Sequence, residues 1–322
     1  MSSDTRPTIV VVGASGYLGR RVAALARAGY RVVATYYSHP PAGDAGPDGA
    51  SGNDAGAAEM QVQWSALDVR DRAAIDRCIA AARPAVVVNC AYVQQGADVE
   101  AITAVAPGLL ADAAHRVGAR FVHVSSDVVF PGRSDRPYRE DDEPAPVHDY
   151  GRAKLRAEQM VVAAHRAPLI IRTSLIYGGA VDGPQERMVR GALAGDEVWF
   201  FTDEVRNPIE VDVLASAILE LVGVGHHGVL HVAGADAIDR LTFAKLLATA
   251  IGPPTATAMA TGTPTGADAS VLRGRPRLET AGPRPGNLAL DCTKARALLR
   301  DTVLTGAREA LSRRGRRSDT GW

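Results

Sequence analysis

Thr8-Ile9-Val10-Val11-Val12 runs directly into Gly13-Ala14-Ser15-Gly16-Tyr17-Leu18-Gly19, and an amphipathic stretch follows to Ala28, with Gly29 placed to cap it. A β-branched run, three glycines at equal spacing and a helix, in that order, form the first unit of a βαβ fold. The glycines permit a tight turn and a close backbone approach to a ligand. The helix start offers unsatisfied N–H groups and a positive dipole end, so the geometry suits a dinucleotide pyrophosphate. The spacing is G-x-x-G-x-x-G rather than G-x-G-x-x-G, and the expected contacts are Gly13, Ser15, Gly16, Tyr17, Leu18 and Gly19.

The alternation continues to about residue 175. Strands are predicted at Ile9 to Gly13, Arg31 to Tyr36, Gln61 to Ala66, Ala85 to Asn89, Arg120 to Ser125 and Leu169 to Thr173, with helices between them. Nearly continuous apolarity in Val86-Val87-Val88 and Leu169-Ile170-Ile171 suits strands covered on both faces. The expected fold is α/β, a Rossmann-type doubly wound parallel sheet. Residues 1–175 would form the nucleotide-binding domain, with part of the C-terminal half returning to it, and 176–322 mainly a smaller substrate-binding lobe and tail. Helices are predicted at Val211 to Val222 and Leu241 to Ile251. Ser38 to Glu59 has almost no large apolar residue and reads as a mobile surface loop, Gly252 to Gly286, rich in Thr, Pro and Gly, is a second such stretch, and Ser312 to Trp322 reads as a solvated basic tail.

In such a sheet the second strand ends beside the adenosine ribose, where a carboxylate would bind the 2′-hydroxyl of NAD and repel the 2′-phosphate of NADP. Here the segment reads Tyr36-Tyr37-Ser38-His39, and no acid occurs before Asp44. NADP(H) is therefore favoured over NAD(H), with Tyr36 and Ser38 as contacts and Arg20 and Arg21 as sources of positive charge. Asp68 and Val69 follow the third strand, where Asp68 would either accept from the adenine amino group or cap the next helix near Arg70. Cys90, Ala91 and Tyr92 follow the fourth strand, with small residues where the backbone must pass close to the cofactor.

Tyr150 and Lys154 are four residues apart in a helical stretch and share one face. An ammonium beside a phenol favours the phenolate and brings its pKa down from about 10 toward an acid–base range. The same lysine can hold a nicotinamide ribose. Phe121 to Ser125 reads as a strand ending at Ser126, which places a hydroxyl at the carboxyl edge of the sheet, where ligands bind in this architecture.

With these motifs in order, the chain resembles the extended short-chain dehydrogenase/reductase family and, within it, the dTDP-4-dehydrorhamnose reductase group. The matching segments are Val10 to Gly19, Val88 to Ala91, Val122 to Gly132, Pro137 to Pro144, Tyr150 to Lys154, Ile171 to Gly178, Asp203 to Pro208 and Arg284 to Asp291. The resemblance implies an NADPH-dependent reductase acting on a nucleotide sugar. Ser126 would be the catalytic hydroxyl, Tyr150 the proton donor and Lys154 the ribose-binding lysine, with further substrate contacts near Val128, Tyr177 and Arg206. Two positions depart from the group: Val128 stands where a tyrosine is frequent, and Thr103 where an asparagine is usual.

Sugar-nucleotide 4,6-dehydratases resemble one another in an Asp-Glu pair after the catalytic hydroxyl, and Asp127-Val128 lacks the second acid. A 4-epimerase fits the same triad, whereas a non-catalytic NADP-binding regulatory subunit, similar to that of methionine adenosyltransferase, is disfavoured by the retention of Ser126, Tyr150 and Lys154. The 36 basic and 36 acidic side chains cancel, so no overall field draws nucleic acid or an anionic membrane. Met1 to Pro7 has no apolar leader and no run reaches the roughly 18 to 20 apolar residues of a membrane span, so a cytoplasmic protein is expected. Cys78, Cys90 and Cys292 are too scattered for a disulfide framework or a metal site, and a homodimer is compatible with the resemblance.

Overall fold

The structure, a computed structural model, describes residues 5–40, 62–251, 268–279 and 282–319. It divides into two compact units, Met1–Val129 with Asp149–Arg172 and Ala215–Leu230, and Phe130–His148 with Thr173–Leu214 and His231–Trp322.

In the first unit β1 (Thr8–Val12), α1 (Tyr17–Ala26), β2 (Arg31–Tyr36), β3 (Gln63–Ala66), α2 (Arg72–Ala82) and β4 (Val86–Asn89) follow in turn. A π-helical turn, Val99–Val105, then runs into α3 (Ala106–Arg116), β5 (Arg120–Ser126), a 3-10 turn (Asp127–Val129), α4 (Asp149–Ala164) and β6 (Leu169–Thr173). Every residue of β1, β4 and β6 is buried, which accounts for their unbroken apolarity. The second unit carries β7 (Ile176–Tyr177), α5 (Pro184–Leu193), β8 (Trp199–Phe201), β9 (Val205–Arg206) and β10 (Ile209–Glu210). From there α6 (Val211–Val224) leads to β11 (Gly228–His231). After it come β12 (Ile238–Asp239), α7 (Arg240–Ile251), β13 (Arg273–Arg275), α8 (Thr293–Leu298) and α9 (Ala307–Asp319).

The main sheet has seven strands in the order β11-β6-β5-β4-β1-β2-β3. The β1/β2, β1/β4, β2/β3 and β4/β5 pairs are parallel. The strand order reverses between β1 and β4. Their carboxyl ends therefore flank the switch point at which open α/β sheets bind ligands. The core of this unit packs Val10, Ile75, Ile79, Leu110, Phe121, Val161 and Ile170. In the second unit Tyr177, Phe200, Phe243, Leu247 and Leu311 form a separate core.

The division is not a single cut at residue 175. Phe130–His148 belongs to the second unit, where Tyr138 N–H donates to the Ala289 carbonyl and Asp291 N–H to that of Tyr138, both at 2.7 Å. The expected loop at Ser38 to Glu59 lies outside the described residues beyond Pro40.

Residues 252–267 of the second predicted loop also lie outside them, but its described part is not loop throughout. β13 pairs in parallel with β8, setting Arg273 and Arg275 against the Trp199 ring, with Leu272 buried beside them. The predicted basic tail is likewise corrected: α9 extends to Asp319, since Ala307, Ala310 and Leu311 give it an apolar face and Arg314 pairs with Glu210 at 2.8 Å.

Candidate active site

The glycine turn sits at the switch point. Gly13 has φ +74°, a left-handed conformation, and a Cβ there would stand 2.8 Å from the Ala91 backbone. At Gly19 a Cβ would stand 2.3 Å from the Gly13 carbonyl oxygen. Gly13 N–H donates to the Thr35 hydroxyl at 3.2 Å and Ala14 N–H to the Thr35 carbonyl at 2.9 Å, which fixes the turn to β2. Gly16 caps α1 in an extended conformation, and no acid occupies the helix's first turn. The N-terminus of α1 is thus shaped and charged for an anion.

Beside the turn, Tyr36 packs on Trp64, while Tyr37 and Ser38 are exposed. Val69 is buried. Asp68 neither caps a helix nor stands open: α2 begins at Arg72, and its cap is Asp71, which accepts from Ala73 N–H at 2.8 Å. Both Asp68 oxygens instead accept from the Arg70 guanidinium, whose hydrogen bond holds the Asp68 carboxyl below its usual range. Arg70 also donates to the Tyr37 hydroxyl at 2.6 Å, lies 5.0 Å from that ring's centroid and pairs with Asp98 at 3.1 Å. Sequence reasoning passed over Arg70, whose partners lie 2, 28 and 33 residues away.

After β4, Asn89 Oδ1 accepts from Ala91 N–H at 3.1 Å, which turns its amide nitrogen toward His123 Nδ1 at 3.2 Å. Burial, with the Lys154 charge nearby, keeps His123 neutral. The Thr103 hydroxyl braces the segment that follows, accepting from Val93 N–H at 2.9 Å and donating to the Val93 carbonyl at 2.7 Å.

Across the sheet, α4 brings its side chains to the end of β5. Lys154 is buried, and its ammonium donates to the Val124 carbonyl at 3.0 Å. It lies 5.1 Å from the Tyr92 ring centroid and 5.9 Å from that of Tyr150, the two rings being 6.1 Å apart. Burial pulls the Lys154 pKa down to about 8, with Cys90 and Glu158 opposing the shift. Burial also pushes the Cys90 thiol up to about 12, so it is a neutral neighbour. Ser126 ends β5 with its hydroxyl donating to Asp127 at 3.1 Å, and Val128 behind it is buried. Tyr92, Tyr150 and Lys154 are thus gathered beside Val124, two residues before Ser126.

Tyr177 and Arg206 belong to the second unit. Tyr177 is fully buried with its ring 5.3 Å from Phe243, and burial pushes its phenol pKa up. Arg206 pairs with Glu204 at 3.1 Å, and Glu204 also binds Arg240 and Arg284. Burial opposes ionisation of Glu204, yet the three arginines hold its carboxyl below the ordinary value. Among the described residues no helix is long and apolar enough to cross a membrane, and no three His, Cys, Asp or Glu side chains are grouped to hold a metal.

A doubly wound sheet with this turn at its switch point and a Tyr-Lys helix face behind a strand-end serine defines an oxidoreductase of the extended short-chain dehydrogenase/reductase class. The family described as RmlD substrate binding domain matches residues 7–314, and the chain belongs to that family. It is 34% identical over 256 residues to the dTDP-4-dehydrorhamnose reductase of Mycolicibacterium smegmatis, covering 76% of this chain and 69% of that one. With the dTDP-4-dehydrorhamnose reductase of Streptomyces griseus it shares 32% over 245 residues, 72% of each chain. The Bacillus anthracis dTDP-4-dehydrorhamnose reductase, solved in complex with NADP, has the same fold, with a TM-score of 0.70 at 20% identity over 96% of this chain and 98% of that one.

Proposed function

We propose that this protein is an NADPH-dependent reductase that converts the carbonyl of a nucleotide-activated 4-keto sugar to an alcohol. The observation that carries the chemistry is the placement of Lys154 and Tyr150 beside the strand that ends at Ser126. The substrate class comes from the curated relatives, two of which are reductases of dTDP-4-dehydrorhamnose.

The cradle fits the cofactor: Gly13 leaves open the space a Cβ would fill against Ala91, and the α1 N-terminus faces the turn without an acid. The turn Gly13 to Gly19 would hold the pyrophosphate, Lys154 the nicotinamide ribose, and the strand-end residues Tyr36, Ser38, Asp68, Val69 and Cys90 to Tyr92 the remainder. When bound, the reduced nicotinamide supplies hydride to the carbonyl carbon. Ser126 orients the carbonyl oxygen by donating a hydrogen bond. The Tyr150 hydroxyl gives its proton to that oxygen as negative charge develops there, and the Lys154 ammonium favours the phenolate left behind.

Preference for NADP over NAD is supported by the acid-free Tyr36-Tyr37-Ser38-His39 segment and by Arg70, which neutralises Asp68 at the same lip.

The test is NADPH oxidation with a panel of nucleoside-diphosphate 4-keto sugars, using Tyr150→Phe as control. Substrate-dependent oxidation that the control lacks supports the reading. Absence of oxidation with every sugar, in protein that still binds NADPH, replaces it with a cofactor-binding regulatory role.

A further inference from the structure

Three consecutive residues at the end of β5 engage the reaction machinery, and proton transfer to the substrate uses only two of them. The Val124 carbonyl holds Lys154 and Ser126 carries the catalytic hydroxyl. Between them, the Ser125 hydroxyl donates to Glu158 Oε1 at 2.5 Å inside the protein. Glu158 is 4% exposed and lies one helical turn beyond Lys154, which itself lies one turn beyond Tyr150, so the three form one stripe of α4. Its carboxylate also accepts from Arg172 on β6, at 3.0 Å from Nε and 2.7 Å from Nη2. Arg172 is as buried as Glu158.

A buried acid and base give little net stability compared with a well-packed apolar pair of the same volume. What they add is direction. Hydrogen bonds from two neighbouring strands leave Glu158 one position, because any sliding or rotation of α4 would unpair a buried charge. That position sets the helix register against β5, and with it the distances among Tyr150, Lys154 and Ser126. We propose that Glu158, clamped by Ser125 and Arg172, is a positioning residue for the reductase reaction. The proposal rests on the reductase reading above and deepens it.

A second consequence is electrostatic. The groups facing Lys154 are the Cys90 thiol after β4, the Tyr92 ring, His123 from β5, and Tyr150 and Glu158 from its own helix. Cys90 and His123 are neutral, so the carboxylate that supports the ammonium is Glu158.

The experiment compares Ser125→Ala, Ser125→Thr and Glu158→Gln with the unaltered chain, recording kcat, KM for NADPH, the pH profile and Tm. Ser125→Ala should lose about tenfold in kcat, since small misplacements of reacting groups cost that much, with KM for NADPH changed by less than about twofold. Its Tm should fall by no more than about 3 °C. Ser125→Thr keeps the hydroxyl and should recover most of the rate. Glu158→Gln should move the alkaline limb of the pH profile down by about half a unit. If Glu158→Gln fails to fold, the Ser125 pair decides. A wild-type kcat and pH profile in Ser125→Ala overturns the proposal, as does a Ser125→Thr protein no faster than Ser125→Ala. Tyr150→Phe is measured alongside: activity surviving there defeats the reaction reading itself, whereas an inactive Tyr150→Phe beside an unimpaired Ser125→Ala defeats only the positioning role.

Discussion

Lys154 donates to the Val124 carbonyl at 3.0 Å while only 3% exposed, so its ammonium beside the Tyr150 ring is held almost without water. The cost of that dry site is a Lys154 pKa of about 8 in place of 10.5. As pH rises through about 8 the ammonium is lost, and kcat/KM for NADPH should fall along that limb. Lys154→Arg keeps its charge and should move the limb beyond pH 10 or so, even if its maximal rate is lower. A profile flat to pH 10 in the unaltered protein would contradict the assignment.

The same shift has an effect on stability of the opposite sense. Because the folded-state pKa lies below the ordinary value, the unfolded chain holds the proton more tightly, and stability should rise with pH between about 8 and 10.5. Below that window the buried charge is a net burden. Lys154→Met should therefore be inactive yet no less stable at pH 7, as thermal unfolding can show. A loss of more than about 5 °C would mean that the bond to Val124 outweighs the desolvation of the charge.

Tyr150→Phe removes the hydroxyl and keeps the ring that lies 6.1 Å from that of Tyr92 and 5.9 Å from the Lys154 ammonium. General acid catalysis is worth about 10² to 10⁴ in rate, and the turnover number should drop on that scale. Fluorescence titration should find NADPH affinity within about threefold of the unaltered protein.

Gly13→Ala places a methyl 2.8 Å from the Ala91 backbone and forces φ +74° on a residue that disfavours it. The backbone term alone is about 1 to 2 kcal/mol. Urea unfolding should show at least that loss, and the proposed role of the turn in holding the pyrophosphate that NADPH and NADH share predicts weakened binding of both. Unchanged binding would separate the turn from the cofactor.

Arg70→Ala leaves the Asp68 carboxylate unneutralised beside Tyr37. A bare acid at that lip repels a 2′-phosphate more than a 2′-hydroxyl. The ratio of NADPH to NADH affinity should fall by about tenfold, corresponding to about 1.4 kcal/mol. Equal weakening of both cofactors would mark Arg70 as a purely structural clamp.

The sheet was legible in the sequence because its strands are short apolar runs between turn residues. Arg31–Tyr36 and Leu169–Thr173 match expectation to the residue. The nearness of Lys154 to Tyr150 was legible as well, through the four-residue spacing, and so was the end of β5 at Ser126. What could not be read depends on partners remote in the chain. Ser125 and Glu158 are 33 residues apart, and nothing local to either announces their bond. β13 is an arginine-flanked glycine whose strand character comes wholly from pairing with β8. Asp68 read as either a cap or an adenine contact, and the structure gives the cap to Asp71 and binds Asp68 to Arg70. The resemblance implies substrate contacts near Tyr177, and the side chain itself packs in a core with Phe243 and Val189, which only the tertiary structure shows.

The Thr103 hydroxyl, bonded to both the N–H and the carbonyl of Val93, has a kinetic meaning. With Asn89 holding Ala91 at the other end, the wall that includes Cys90, Ala91 and Tyr92 is secured at both ends before any ligand arrives. A wall already in place needs no folding step on encounter, so, if the dinucleotide binds there as proposed, no conformational step slows its capture. In stopped-flow mixing, association at this wall should be a single concentration-dependent phase. Loosening it through Thr103→Val should add a slow phase whose rate no longer depends on dinucleotide concentration.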